Sequence, residues 1–409
     1  MALKCRILEP ANVQIRAPFR FAISPLLVVL FSPSAFCQST PRDFHFGSSG
    51  QTTIALSEQS IIEATINGKG PFKLFFDTGA AVNVLNPEVI AQLGLTPSGD
   101  KAEMWGIGGK LEAKPYRADE LRIGDLTLTG QTFYSIPMPL PNTGIVGAVG
   151  YELMIRLIVK ADNEHHQLTF YDPARFVYNG IGEKLELLPD GRGLAVHGSI
   201  GKIPGDFVLD TGGTDNIGIG INHWFAQRYH LPQHLFHYYY HGVFSGGAGG
   251  DAPPAKLDRI KTLCLGAACV PEIVGEFYDS GDQSQFAGTI GNAVLRRFTF
   301  TIDWRHRAIF LEKTSHWDPP TVYNQTGLML SPADSGSALI VDGVYPRSPA
   351  SKARIKVGDH ILSIDNRPLQ YNWYCADPAF LQPAGTVVTL TIQRHNSSQQ
   401  IRLKLKDIL

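Results

Sequence analysis

Two aspartates stand where a carboxylate could do chemistry. In "FFDTGAAVNVL" (75–85), Asp77 closes an apolar run and leads through Thr78 into Gly79. In "DFVLDTGGTDNI" (206–217), Asp210, Thr211 and Gly212 repeat that arrangement 133 positions later. One such triplet carries little weight, since its residue types are common. Two at matching places raise the question of what the pair does together. Two carboxylates in close contact cannot both ionise cheaply, so they share one proton. Such a pair offers a general base and a general acid at one place, which is what attack by an activated water requires.

The segments around the two aspartates repeat in the same order. "IIEATINGKGPFKLFFDTGA" predicts a strand, a turn at Asn67-Gly68 and a second strand before Asp77; "GLAVHGSIGKIPGDFVLDTGG" does the same before Asp210. Each aspartate is followed by a short helical stretch, "NPEVIAQLGL" and "NHWFAQRYHL". Glycine-rich segments flanked by strands come next, "MWGIGGKLEA" (104–113) and "VFSGGAGGDA" (243–252), then hairpins "LRIGDLTL" and "LCLGAACV" that turn at a glycine. Apolar runs ending "AVG" (148–150) and "TIG" (289–291) close each copy. The chain is a duplicated, mostly β unit with something added.

These paired motifs resemble the aspartic peptidases, and "NGKGPFKLFFDTGA" and "GDFVLDTGG" are most similar to the retropepsin-like bacterial members. The resemblance covers about residues 45 to 315. It implies a mostly β, two-lobed fold in which a pseudo-twofold axis brings Asp77 and Asp210 to the floor of one cleft. It implies that the two share acid and base roles in hydrolysing the peptide bonds of a peptide or protein substrate, with no metal or other cofactor. Thr78 and Thr211 would bond across the lobe interface, and Gly79 and Gly212 would permit the tight turns. Gly108 and Gly109, with Gly246 and Gly247 in the second copy, look like flap tips closing over an extended substrate. Ala80 and Gly213 follow the triplets where pepsin-like enzymes carry a hydroxyl, so the chain sides with the retroviral type. By that analogy activity is expected to peak in mildly acidic solution. A peptide-binding cleft that does not cut is the alternative reading.

After "SHWDPPTVYNQT", a proline-bearing linker, the pattern changes. "GLML" (327–330), "ALIVDGVYPRSPASKARIKVGDHILSIDNRPL" (338–369) and "GTVVTLTIQR" (385–394) resemble a PDZ domain. The resemblance implies that Gly327, Leu328, Met329 and Leu330 form the loop receiving a peptide's C-terminal carboxylate, with the peptide adding as a strand. Pro349, Ala350, Gly358 and Asp359 are expected as scaffold turns, and a short helix around "YNWYCADPAFL" as the groove's other wall. Domain bounds are expected at 1–37 (signal), 38–180, 181–316 and 322–409. A chain ended near Trp317 is expected to remain a folded peptidase.

Composition fits that organisation. With 44% hydrophobic and 18% charged residues, a 409-residue chain can bury several cores, and its 41 glycines and 27 prolines suit a turn-rich β fold. A net charge of −1 without basic clusters excludes nucleic acid as a partner class, and two motifs in one chain make a monomer sufficient. Lys4, Arg6, Arg16 and Arg20 precede the apolar run "FAISPLLVVLF" and the small residues of "SPSAFCQ", the layout of a secretory signal cut after Cys37. Export to a periplasm or the exterior is expected, with an uncleaved membrane anchor as the alternative. The histidines at 230, 234, 237 and 241 are expected on a loop and strand, not as metal ligands, because Pro232 interrupts any helix there. In "LCLGAACV" a two-residue turn at Gly266-Ala267 sets Cys264 directly opposite Cys269. An oxidising compartment would join them, the alternative being two reduced thiols.

Overall fold

The computed structural model describes residues 4–5, 43–106, 108–138, 143–188, 193–213, 217–231, 239–240, 246–247, 249–251, 255–278, 284–333, 338–369, 378–395 and 397–409. Of the expected signal at 1–37, all but Lys4–Cys5 lies outside these residues, as do His234, His237, His241 and Cys375.

Local chemistry sets the elements that carry the aspartates. Ile61–Ile66 alternates buried and more exposed side chains, as a strand with one covered face must. It turns at Asn67 and Gly68, both at positive φ (48° and 72°), and returns as Lys69–Phe76. In the second copy Leu194–Ile200 pairs with Ile203–Leu209 through Gly201, at φ 58°. Helix Pro87–Leu93 starts on a proline, whose missing N–H costs nothing there, and ends on Gly94 in the left-handed conformation.

Strand pairing repeats in register. Phe75 and Phe76 lie parallel to Ala148 and Val149; Val208 and Leu209 lie parallel to Thr289 and Ile290. Asn83, Val84 and Leu85 run parallel to Phe133, Tyr134 and Ser135, while Ile219, Gly220 and Ile221 run parallel to Gly275, Glu276 and Phe277. The two copies then join in one six-stranded sheet, ordered Glu183–Glu186, Ala308–Lys313, Phe298–Asp303, Ile158–Asp162, Gln167–Tyr171, Gln51–Ala55. Val159 opposite Ile302 and Ala161 opposite Phe300 cross from one half to the other. The boundary expected at 180/181 therefore falls beside a strand of a sheet that both halves build. One core runs through them, with Phe76, Phe133 and Phe170 of the first half and Phe207, Phe225 and Phe298 of the second all fully buried. Burying each such side chain is worth about 1.5–3 kcal/mol.

The hairpin Ala255–Leu265/Ala268–Tyr278 sets Cys264 opposite Cys269, and their sulfurs are bonded at 2.07 Å. Glu183 of the shared sheet accepts the Ala267 amide at 2.9 Å, fixing the turn. Replacing both cysteines by serine is expected to lower stability by about 2 kcal/mol, the chain-entropy value for so short a loop, and to leave the fold intact. Peptide mapping without reduction and a urea titration check this; two free thiols in protein folded under oxidising conditions would end the assignment.

Residues 328–404 form a separate six-stranded sheet with its own core around Val341, Ile361, Phe380, Leu390 and Ile392. Pro349 and Ala350, expected in a turn, instead open the helix Pro349–Lys352, capped by the Ser348 hydroxyl on the Ser351 amide. Asp359 is buried and forms an ion pair with Arg394 at 2.6 Å. Most of the expected groove helix lies outside the described residues; its described end, Pro378–Leu381, is a 3-10 turn. The linker is bound down. Thr321 donates its amide to the Glu272 carbonyl (2.9 Å) and accepts Arg297 Nη2 on its hydroxyl (2.7 Å), while Arg297 Nη1 reaches the Trp317 carbonyl (3.3 Å). Tyr345 and Ile408 of the added module pack on Ile217, Leu257 and Val274 of the second half. Ending the chain near Trp317 would strip that cover from Ile217, Leu257 and Val274.

Candidate active site

Both aspartates stand at the end of a strand gripped by its parallel neighbour. The Asp77 amide donates to the Val149 carbonyl at 2.8 Å, and the Asp210 amide to the Ile290 carbonyl at 2.9 Å. The turn that follows folds back on each carboxylate. Asp77 Oδ1 accepts the amides of Gly79 (2.9 Å) and Ala80 (2.8 Å); Asp210 Oδ1 accepts those of Gly212 (2.8 Å) and Gly213 (3.2 Å). The last is the longest of the four, at the position where the two copies differ in sequence.

The two turns meet through their threonines. Thr78 Oγ1 donates to the Leu209 carbonyl (2.8 Å) and accepts the Thr211 amide (3.0 Å). Thr211 Oγ1 donates to the Phe76 carbonyl (2.5 Å) and accepts the Thr78 amide (3.1 Å). Each hydroxyl thus spans to the strand before the other aspartate and to the turn after it. The carboxylates are brought face to face: a β-carbon on Gly79 would lie 2.6 Å from Asp210 Cγ, so only glycine fits there. Asp77 is wholly buried and Asp210 is 3% exposed. Burial first, then the Asp210 carboxylate beside it, holds Asp77 well above the ordinary carboxylate range.

Apolar walls rise on both sides. Phe75 belongs to a cluster with Val84, Ala148 and Met104, the last midway along the strand Ala102–Gly106 of the hairpin it forms with Gly109–Ile123. Val208 packs with Ala195 and Phe286. Gly108 lies in the turn of the hairpin Ala102–Gly106/Gly109–Ile123, where Gly106 pairs with Gly109. In the second copy, Gly246 pairs with Asp251 and Gly247 with Gly250. The tips touch: a β-carbon on Gly249 would fall 2.5 Å from the Gly109 carbonyl oxygen, and Gly249 has φ 91°. Side chains at this contact would hold the two hairpins apart.

Asn292 was not visible as a site residue in the sequence. It follows Gly291 as Tyr151 follows Gly150, and its Nδ2 donates to the Glu58 carbonyl at 2.6 Å, another tie between the halves. The only available signal was the mismatch between the two copies at that place. In the added module Gly327 has φ 74° and its carbonyl accepts the Tyr345 amide (2.8 Å). The Leu328 amide is taken by Thr326 Oγ1 (3.1 Å). Leu328 faces the module's core, Leu330 packs beside it, and Met329 turns toward the second half. Leu328–Pro332 is the terminal strand of its sheet.

Residues 62–149 match the family model described as an aspartyl protease, and residues 324–405 match that of a PDZ domain. The chain carries both domains in a mostly β fold. No curated protein matches it. The first match contains Asp77 and ends just before Gly150; the place of Asp210 rests on the repeated register and on the threonine contacts.

Proposed function

We propose that the chain is an aspartic endopeptidase in which Asp77 and Asp210 act as one proton-sharing pair. The observation that carries this reading is two buried carboxylates face to face, each oriented by two amides and locked together through Thr78 and Thr211. Burial and the neighbouring carboxylate hold Asp77 well above the ordinary carboxylate range, so in the proposed cycle Asp77 enters as the acid and Asp210 as the base. Asp210 takes a proton from a water as its oxygen attacks the scissile carbonyl carbon. Asp77 gives its proton to the carbonyl oxygen, and a gem-diol forms. Asp210 then protonates the amide nitrogen, the C–N bond breaks, and a diol hydroxyl returns its proton to Asp77. Amine and acid leave, and the pair is restored. The meeting flaps would part to admit an extended peptide and close over it, excluding bulk water.

The protein works outside the cytoplasm on this reading, as its N-terminal charge and apolar pattern suggest. The PDZ domain receives a free peptide C-terminus along the terminal strand Leu328–Pro332.

A pH–rate profile on a diverse peptide mixture tests the chemistry. The rate should rise as the first proton leaves the pair, peak at about pH 5 to 6, and fall as the second proton leaves it. A rate still climbing at pH 3, or flat through pH 8, would rule out the shared proton.

A further inference from the structure

The loops that leave the two aspartates differ in length. After Asp77 the next strand, Asn83–Leu85, opens six positions on; after Asp210, Ile219–Ile221 opens nine positions on. The longer loop is tethered at its described ends. The Gly213 carbonyl accepts the Asn292 amide (2.8 Å), the Gly218 amide donates to the Val274 carbonyl (2.8 Å), and the Gly218 carbonyl accepts the Gly291 amide (3.0 Å). Gly213 also supplies one of the two amides on Asp210, the longest of the set. Gly213 on one side and Ile217 and Gly218 on the other thus meet the same Gly291–Asn292 segment, so the packing of Ile217 bears on the position of Gly213.

Part of that packing comes from the PDZ domain. Ile217, 8% exposed, lies in one cluster with Leu257 and Val274 of its own half and Tyr345 and Ile408 of the PDZ domain, with Met329 at the margin. At the rim, Arg259 bonds Asp407 (2.8 Å) and the Thr321 carbonyl (3.1 Å). In the first half the positions matching Leu257 and Val274 in the repeated hairpin are Pro115 and Thr132, beside the shorter loop. The docked domain and the extra loop length occur together, on the side of Asp210.

We propose that the PDZ domain is a clamp on the Asp210 loop, with Ile217 the positioning residue through which Ile408 and Tyr345 hold the Gly213 amide on the carboxylate. This rests on the peptidase reading for its catalytic consequence, though not for the clamp itself. Losing the clamp leaves the substrate's binding surface in place and loosens one carboxylate, so turnover suffers and substrate affinity does not.

The test uses the full chain with Ile408→Asp, which drives a carboxylate into the cluster, and Ile408→Leu, which preserves its apolar volume. Amide hydrogen exchange at Gly213 and Gly218 is measured alongside kcat and KM. Ile408→Asp should speed exchange at both glycines and lower kcat, each by about tenfold or more, with KM within about twofold; Ile408→Leu should match wild type. If Ile408→Asp does not fold, Asp407→Lys opposes Arg259 on the exposed rim and should give the same signs. Unchanged exchange in a folded Ile408→Asp or Asp407→Lys protein, or equal damage from Ile408→Leu, overturns the clamp. A wild-type chain that cuts no peptide but shows the exchange response keeps the clamp and sinks the peptidase reading.

Discussion

Asp77→Asn and Asp210→Asn are each expected to lower kcat/KM for peptide cleavage by at least about 10³-fold, because one carboxylate cannot be acid and base in the same turnover. The double variant should be little worse than either single one, since the residues act as a unit. Folding supplies an independent check with the opposite sign. Asp77's folded pKa is raised above its unfolded value, so its contribution to stability is fully present below the unfolded pKa and is lost as pH rises through the folded one. At neutral pH the wild-type protein must ionise a wholly buried carboxylate or retain its proton against solution. Asp77→Asn carries no such group and keeps an oxygen for the Gly79 and Ala80 amides. Relative to wild type it should therefore gain stability between about pH 4 and pH 8, seen in urea midpoints at the two ends. A variant that is inactive and also destabilised across that range would point to collapse of the site, not to lost chemistry.

Thr78→Val should damage both stability and turnover, while Thr78→Ser should damage neither greatly. The hydroxyl lies wholly buried, donates to the Leu209 carbonyl and accepts the Thr211 amide. Valine keeps the shape but deprives two buried backbone groups of these partners, at about 1–3 kcal/mol each. A loss of roughly 2–5 kcal/mol is a large fraction of a domain's stability, and the unfolding midpoint should show it. Turnover should fall by about 100-fold, because these same bonds hold the two turns, and through them both carboxylates, in one frame. Adding Thr211→Val should cost less than a second full share, since the four bonds form one network. Equal activity in the Val and Ser variants would show that the turns are held by the surrounding sheet alone.

What the sequence determined by itself was local and repeated. An Asn-Gly between alternating apolar residues specifies a tight hairpin because both positions need positive φ, and the chain turns there. A two-residue turn at Gly266-Ala267 settles strand register, so Cys264 had to face Cys269 before any tertiary contact formed. The order of the segments around Asp77 and Asp210 made the duplication legible, and with it both carboxylates and both glycine-rich hairpins. Only the tertiary structure decided what depends on residues far apart in sequence. The Leu209 and Phe76 carbonyls as the partners of the Thr78 and Thr211 hydroxyls, the six-stranded sheet shared by both halves, and the meeting of Gly249 with Gly109 each need two segments placed to within a bond length. No residue type or spacing encodes that placement, because it is set by the packing of one continuous core. The linker shows the same limit: its prolines marked a change of pattern, but not that Arg297 and Glu272 hold it down or that Ile408 and Tyr345 cover the second half. Composition describes what a segment can do alone; buried apolar surface and satisfied polar groups across an interface decide what it does in the molecule.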